Sequence, residues 1–116
     1  MPVDVDQHLP LKPLVFQVLL ALTGGDRHGW SLVREVQQRG GFARIMPGNF
    51  YRTLRSMAAD GLIEAATPRA GGEEDERRRY FRITRLGERV AAAEAHRLES
   101  VVLEARAKRL LARSRG

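Results

Sequence analysis

A chain of 116 residues and 13.0 kDa has room for one domain built around one hydrophobic core. It contains no cysteine, which excludes disulfides, thiolate metal sites and cysteine nucleophiles, and its 43% hydrophobic and 29% charged residues are typical of a globular protein. All basic residues except Lys12 and Lys108 are arginines, so the net charge of +6 favours either a polyanionic partner or an arginine-rich surface without one.

The sequence predicts neither a membrane span nor a secretion signal. Residues 14–22 form the longest apolar stretch, which Gln17 interrupts and which is too short to cross a bilayer. Asp4 and Asp6 lie where a signal peptide would carry basic residues. We therefore expect a cytoplasmic protein without a membrane partner.

The N-terminal part of the chain predicts an arm followed by a helix. Residues 1–12 are polar, hold two of the five prolines and show no periodicity, so we expect a flexible arm. Pro13 suits a first helical turn, and Gly24 ends the pattern. Between them, apolar residues at helical spacing predict a helix over 13–23, with Leu14, Val15, Val18, Leu19 and Leu22 on its inner face.

Two further helices follow. Ser31 can cap a second helix over 30–39, whose tryptophan, Trp30, suits packing in the core or at an interface. A third helix begins at Pro47 and stops at Gly61. Its inner face is predicted to hold Phe50, Leu54 and Met57 with Ala58, and its outward positions are Tyr51, Arg52, Arg55 and Ser56.

After the third helix, the spacing of apolar residues changes from that of a helix to that of β-strands. Residues 62–67 and 79–84 each predict a strand, and the Pro, Gly and acidic residues of 68–76 predict the long loop of a hairpin between them. The hairpin would follow the three helices directly.

A long helix is predicted to close the chain. Thr84 can cap it, and a run to about residue 113 would be roughly 40 Å long at a rise of about 1.5 Å per residue. A body this small cannot cover such a helix alone, so its apolar side predicts a homodimer. The expected dimer contacts are Leu86, Val90, Leu98, Val101, Val102, Ala105 and Leu110.

Three helices followed by a hairpin is the order of a winged helix-turn-helix, in which the third helix enters the major groove. The predicted fold is mainly α with a small β-hairpin, the wing. Residues 1–12 form the flexible arm, 13–84 the winged helix-turn-helix DNA-binding domain, and 85–116 the C-terminal dimerisation helix.

The residues at the junctions resemble the PadR family of transcriptional regulators over about 11–90. The two strongest blocks are 47–63, which opens with Pro47-Gly48-Asn49-Phe50-Tyr51, and 79–87. The His28-Gly29-Trp30 start of the second helix is also similar. The resemblance implies a sequence-specific transcriptional regulator that binds double-stranded DNA with its third helix. Most of the family are repressors, so repression is the expected output. The resemblance also implies a structural role for His28.

Several polar residues suit DNA. Arg52 and Arg55 are three residues apart and share a helix face, Tyr51 and Ser56 offer hydroxyls, and Asn49 lies near a helix N-terminus, which attracts phosphate. The alternative is a face charged only for solubility. The base of the wing adds three candidates for DNA contact: Arg77, Arg78 and Arg79.

The tip of the wing is acidic, which departs from the more basic tips of that family. Like charge repels phosphate, so the tip is expected to limit insertion of the wing into a groove. Alternatively, the acids pair with the wing arginines in the free protein. The four residues lack the alternating spacing of a calcium site; they are Glu73, Glu74, Asp75 and Glu76.

The sequence carries no catalytic or cofactor motif. It has no Gly-rich phosphate loop and no Ser/His/Asp grouping, and His8, His28 and His96 lack metal-ligand spacing, so we expect neither an enzyme nor a cofactor. The alternative function is a winged-helix dimer that binds a protein and not DNA. A small-molecule effector stays open, although the terminal helix has none of the aromatic residues that some PadR members use for one.

Overall fold

The computed structural model describes residues 5–39, 41–66 and 79–112. The chain begins with a short 3-10 helix, Val5–His8. The four α-helices are α1 (Pro13–Leu22), α2 (Gly29–Gln37), α3 (Pro47–Ala59) and α4 (Arg85–Ala107), and the three strands are β1 (Arg27–His28), β2 (Ile63–Ala66) and β3 (Tyr80–Ile83). The predicted fold class, mainly helical with a small sheet and a long last helix, is confirmed.

The sheet has one strand more than the predicted hairpin. Its order is β1-β3-β2, and both pairs are antiparallel, with Arg27 opposite Phe81 and Ile63 opposite Ile83. The strand β1 has only two residues and therefore shows no alternation that a sequence pattern could detect. The loop predicted over 68–76, with the acidic tip, lies outside the described residues.

Four helices and the sheet enclose one core. The spacing of apolar residues predicted the inner faces of α1 and α3, with the exception of Ala58, which is exposed. The core residues with the least exposure are Val18 and Leu19 of α1, Leu32 and Val36 of α2, Phe50, Leu54 and Met57 of α3, and Val90 of α4.

The bounds of α2, predicted over 30–39, and the end of α4 differ from the prediction. The helix α2 begins at Gly29 and has His28 as its N-cap residue without a side-chain cap, so Ser31 lies inside the first turn and does not cap it. The helix α4 ends at Ala107, where Arg109 adopts a left-handed φ of 62° and the Leu110 amide donates to the Ala105 carbonyl at 2.9 Å. This termination usually uses glycine, which explains why the sequence pattern placed the end near residue 113.

The described part of the segment before α1, residues 5–12, packs on α4 and the core, while the flexible arm predicted over 1–12 stays a prediction. The 3-10 helix packs on α4, and Val5, Leu9 and Leu11 lie half-buried against the core. Glu94 of α4 is 2% exposed and accepts a hydrogen bond from the backbone of Leu11. Its two carboxylate oxygens also accept from Arg97, each at 2.8 Å.

The hydroxyl of Thr84 joins the end of α3 to the start of α4. It accepts from the Gly87 amide at 2.9 Å, which confirms the predicted cap, and it donates to the Gly61 carbonyl at 2.6 Å. A Cβ at Gly87 would overlap the carbonyl oxygen of Leu62. The first turn of α4 therefore lies directly on the backbone that leaves α3, where Gly61 makes the turn with a φ of 82°.

The close contact at Gly87 predicts that an added methyl group destabilises the protein there but not at an open glycine position. We expect Gly87→Ala to lower the free energy of unfolding by about 1–3 kcal/mol or more, because the backbone of Leu62 cannot move aside as a flexible side chain could. Gly48→Ala is the matched control, since a Cβ at that helical position meets nothing within 4 Å. It should stabilise the protein by up to about 1 kcal/mol. Denaturant unfolding measures the free energy of unfolding of both variants. Equal changes in the two would contradict the close packing at Gly87.

The buried carboxylate predicts a pH dependence. Hydrogen bonding from Arg97 lowers the pKa of Glu94 below its ordinary value of 4.5, against the opposing effect of burial. A lowered pKa in the folded state stabilises the fold above the ordinary pKa, and this stabilisation is lost as pH falls through the folded value. Glu94→Gln should therefore destabilise the protein at neutral pH, and its difference from the parent should shrink in acid.

Glu104→Gln is the control for that experiment. Glu104 is an exposed residue of the same helix whose carboxylate lies 3.8 Å from the Lys108 amine, so its loss should cost no more than about 0.5 kcal/mol at any pH. Urea unfolding of the three proteins across the acid range provides the measurement. If the difference in free energy of unfolding between Glu94→Gln and the parent stays constant with pH, the charge of Glu94 does not stabilise the fold.

Candidate nucleic-acid interface

The outward side of α3 presents a polar and positive surface. Asn49, Arg52, Arg55 and Ser56 are exposed, and together they form what we call the reading face. The opposite side of the same helix is anchored by residues no more than 2% exposed: Phe50, Leu54 and Met57. The helix contains two arginines and no acidic residue, so its surface charge is positive. The predicted outward positions are confirmed for Arg52, Arg55 and Ser56.

Local contacts shape this face. The Arg52 guanidinium donates to the Asn49 side-chain oxygen at 2.9 Å, and the Thr53 hydroxyl donates to the Asn49 carbonyl at 3.0 Å. Both contacts hold Asn49 on the first turn of α3, where Pro47 begins the helix and no acidic side chain is present. The unpaired amides and the dipole of a helix N-terminus favour a phosphate, so Arg52 and Asn49 together suit a DNA backbone or base edge.

Tyr51 differs from the other predicted contacts. It is half-buried, and its ring meets Phe50 edge-on with 6.0 Å between the ring centroids. Much of the ring therefore packs against the core.

Among the described residues at the base of the wing, one arginine is exposed and one is paired with an acidic residue. Arg79 is exposed at the base of β3, but Arg82 lies 3.9 Å from Glu64 on the opposite strand and is partly neutralised by it. Arg77 and Arg78 lie outside the described residues, as do the acidic residues Glu73, Glu74, Asp75 and Glu76. Among the described residues of the wing, Arg79 is thus the predicted DNA contact that the structure places on the surface.

A stack of rings connects the wing base to α2. His28 stacks on Tyr80 with centroids 4.0 Å apart and lies 6.1 Å from Trp30, over which the Arg34 guanidinium is held at 5.7 Å. Trp30 is 44% exposed and so is not a core residue of this chain. The spacing of four residues between Trp30 and Arg34 could have indicated this contact from sequence, and Arg34 adds a cation that sequence reasoning missed.

The predicted dimer contacts divide into two groups along α4. Val90 is fully buried in its own chain, so its expected place at a dimer contact is wrong, and Leu86 lies half-buried against the same core. Val101 is 50% exposed and Val102 42%, whereas Leu98 and Ala105 are half-buried. Leu110, which is 75% exposed, lies beyond the end of the helix. Leu103 and Leu111 are further exposed apolar residues.

The described residues contain no group of three or more His, Asp or Glu side chains that could hold a metal ion. Within the same part of the chain, no helix has the length and apolar character needed to span a membrane.

Solved structures share this fold. A PadR-like transcriptional regulator from Bacillus cereus is 21% identical with a TM-score of 0.69, and the alignment covers 86% of this chain and 93% of that one. A PadR family regulator from Clostridium difficile is 18% identical with a TM-score of 0.68, covering 82% and 96%. A transcriptional regulator from Clostridium thermocellum is 19% identical with a TM-score of 0.64, covering 91% and 95%. Among curated proteins, none matches.

The family assignment rests on the sequence and agrees with the fold. The model of the transcriptional regulator PadR-like family matches residues 18–93, which run from the second half of α1 to the first part of α4. This span holds the reading face, the strands at the wing base and the Thr84 junction. The chain therefore belongs to the PadR-like family of transcriptional regulators.

Proposed function

We propose that this protein is a sequence-specific DNA-binding repressor that acts as a homodimer in the cytoplasm. The observation that carries the proposal is the reading face, where Arg52 and Arg55 stand exposed on a helix without acidic residues. Phe50 and Leu54 anchor that helix in the core, so its backbone does not have to be ordered when the arginines meet base edges. Repression needs only occupancy of an operator and is the usual output of the family.

The homodimer is supported by a continuous stripe along α4. Gly87, Val90, Ala91 and Glu94 follow helical spacing and are covered by their own chain. The same spacing continues through Leu98, Val101, Val102 and Ala105, but here the side chains are half-buried or exposed. A second copy packed on this outer half would cover it, and two-fold symmetry would then present two reading faces to two half-sites of DNA.

The reading face predicts a loss of sequence discrimination. We expect at least one of Arg52→Ala and Arg55→Ala to cost about 1–3 kcal/mol on the operator and to reduce its preference over scrambled DNA, as loss of a base contact does. Loss of a phosphate contact would instead weaken all sequences alike and lower the salt slope by about one unit. The operator comes from selection of random DNA with the purified protein, and titrations at several salt concentrations measure both effects.

Arg89→Ala is the control, because Arg89 is an exposed arginine of α4 and its removal changes the net charge by the same amount. The Arg89→Ala variant should prefer the operator over scrambled DNA as strongly as the parent does. Arg77→Ala and Arg78→Ala should weaken all sequences alike or have no effect. Unchanged discrimination in both helix variants would overturn the assignment of the reading face. Salt-insensitive binding of a protein partner, without DNA binding at low salt, would favour the alternative of a protein-interaction module.

The outer half of α4 predicts which apolar residue holds the dimer together. Val101→Asp should weaken dimerisation by roughly 100-fold or more, since a two-fold contact would bury two uncompensated carboxylates. Leu103→Asp is the matched control: Leu103 is 59% exposed and lies on nearly the opposite side of the helix from Leu98, Val101 and Ala105. Sedimentation equilibrium should show a monomer for the first variant and a dimer for the second. A monomeric parent at micromolar concentration would refute the homodimer.

A further inference from the structure

A cavity of about 550 Å³ opens between the segment before α1, α1 itself and the inner edge of the reading face. Its volume falls within the range of about 300–1,000 Å³ usual for small-molecule sites. The walls come from Gln7 to Lys12 of the N-terminal segment, from the first turns of α1, and from Arg52, Thr53 and Ser56 of α3. One cavity therefore touches both the tied N-terminal segment and two residues of the reading face.

The floor of this cavity is aliphatic. Met57 and Leu62, each 2% exposed, are its most buried lining residues among the aliphatic ones, and Leu11, Leu14 and Val15 are half-buried. The described residues that line the cavity include no Phe, Tyr or Trp on which a planar ring could stack. This surface fits a flexible hydrocarbon chain, whose burial releases water from both partners.

The rim of the cavity is positively charged. Lys12 and Arg52 line it, with Asp60 as the one acidic group of the described lining, so two permanent cations face a single anion. Lys12 is exposed and forms no ion pair within the described part of the chain. An uncompensated cation at the edge of an apolar floor favours a ligand that carries an anionic head on an apolar body.

We propose that this cavity binds an amphipathic carboxylate, with its hydrocarbon chain on the floor formed by Met57 and Leu62 and its head group at the rim of Lys12 and Arg52. Because Arg52 belongs to the reading face, an occupied cavity withdraws this arginine from DNA and lowers the affinity of the protein for its operator. The effect on DNA rests on the proposed function, whereas the binding of the carboxylate does not.

Methionine methyl groups provide a direct readout in the full-length protein. Met57 lies in the floor, whereas Met46 is 62% exposed and does not line the cavity, so one spectrum of protein labelled with carbon-13 at the methionine methyls holds both probe and control. We expect octanoate to shift the Met57 signal in a saturable manner and to leave the Met46 signal in place. The absence of a saturable Met57 shift at millimolar octanoate would overturn the proposal.

Charge at the rim is tested by two comparisons. Octanol shares the hydrocarbon chain but not the carboxylate, and we expect it to bind about tenfold more weakly, the order of one lost charge-assisted hydrogen bond. Lys12→Gln should weaken octanoate binding by a similar factor. Lys108→Gln removes the other lysine, which lies exposed after the end of α4, and should leave binding unchanged. Equal binding of octanoate and octanol, or an equal effect of both lysine variants, would overturn the carboxylate as ligand.

A DNA titration separates this inference from the proposed function. Saturating octanoate should weaken operator binding at least tenfold in the parent, and the same concentration should have less effect on Lys12→Gln. A Met57 shift with unchanged operator affinity would overturn the regulatory effect. A Met57 shift in a protein that binds no DNA would support the site and overturn the proposed function.

Discussion

The hydroxyl of Thr84 holds the two functional halves of the molecule in one orientation. It contacts the carbonyl of Gly61 on one side and the amide of Gly87 on the other, within two residues of the end of α3 and the start of α4. The Thr84 amide adds a hydrogen bond to the Leu62 carbonyl at 3.1 Å. Each of these contacts lies close to a helix end. The orientation of α3 relative to α4 is therefore fixed near the backbone, and not by long side chains that can rotate.

The elements that the sequence predicts well are those specified locally. A period of 3.6 residues identifies the buried side of α3, and a threonine before a helical pattern identifies the cap of α4. Other features depend on distant partners. The strand β1 exists because β3 pairs with it, and the segment just before α1 packs on the body because Val5 and Leu9 meet the core. The end of α4 was misplaced because Arg109 takes a conformation that sequence rules assign to glycine.

The candidate site shows the same division. The exposure of Arg52 and Arg55 follows from helical spacing alone, whereas the packing of Tyr51 on Phe50 and the ion pair of Arg82 with Glu64 follow from tertiary placement. The apolar side of α4 continues at helical spacing along the sequence. Its composition does not show where burial by the rest of the same chain ends. The structure sets that point just after Glu94, which the N-terminal segment still contacts, so Val90 belongs to the core and Val101 to the surface.

The order of the sheet has a consequence for how the protein forms during synthesis. The central strand, β3, is the last of the three to be made, yet β1 and β2 both pair with it and not with each other. The three N-terminal helices can be translated early, but the sheet cannot assemble until β3 has left the ribosome, and Val90 completes the core later still. Such non-local pairing slows folding relative to that of a simple helical bundle. The reading helix and the strand that supports the wing therefore mature together, and a nascent chain that stops before β3 would present arginines on an incomplete scaffold.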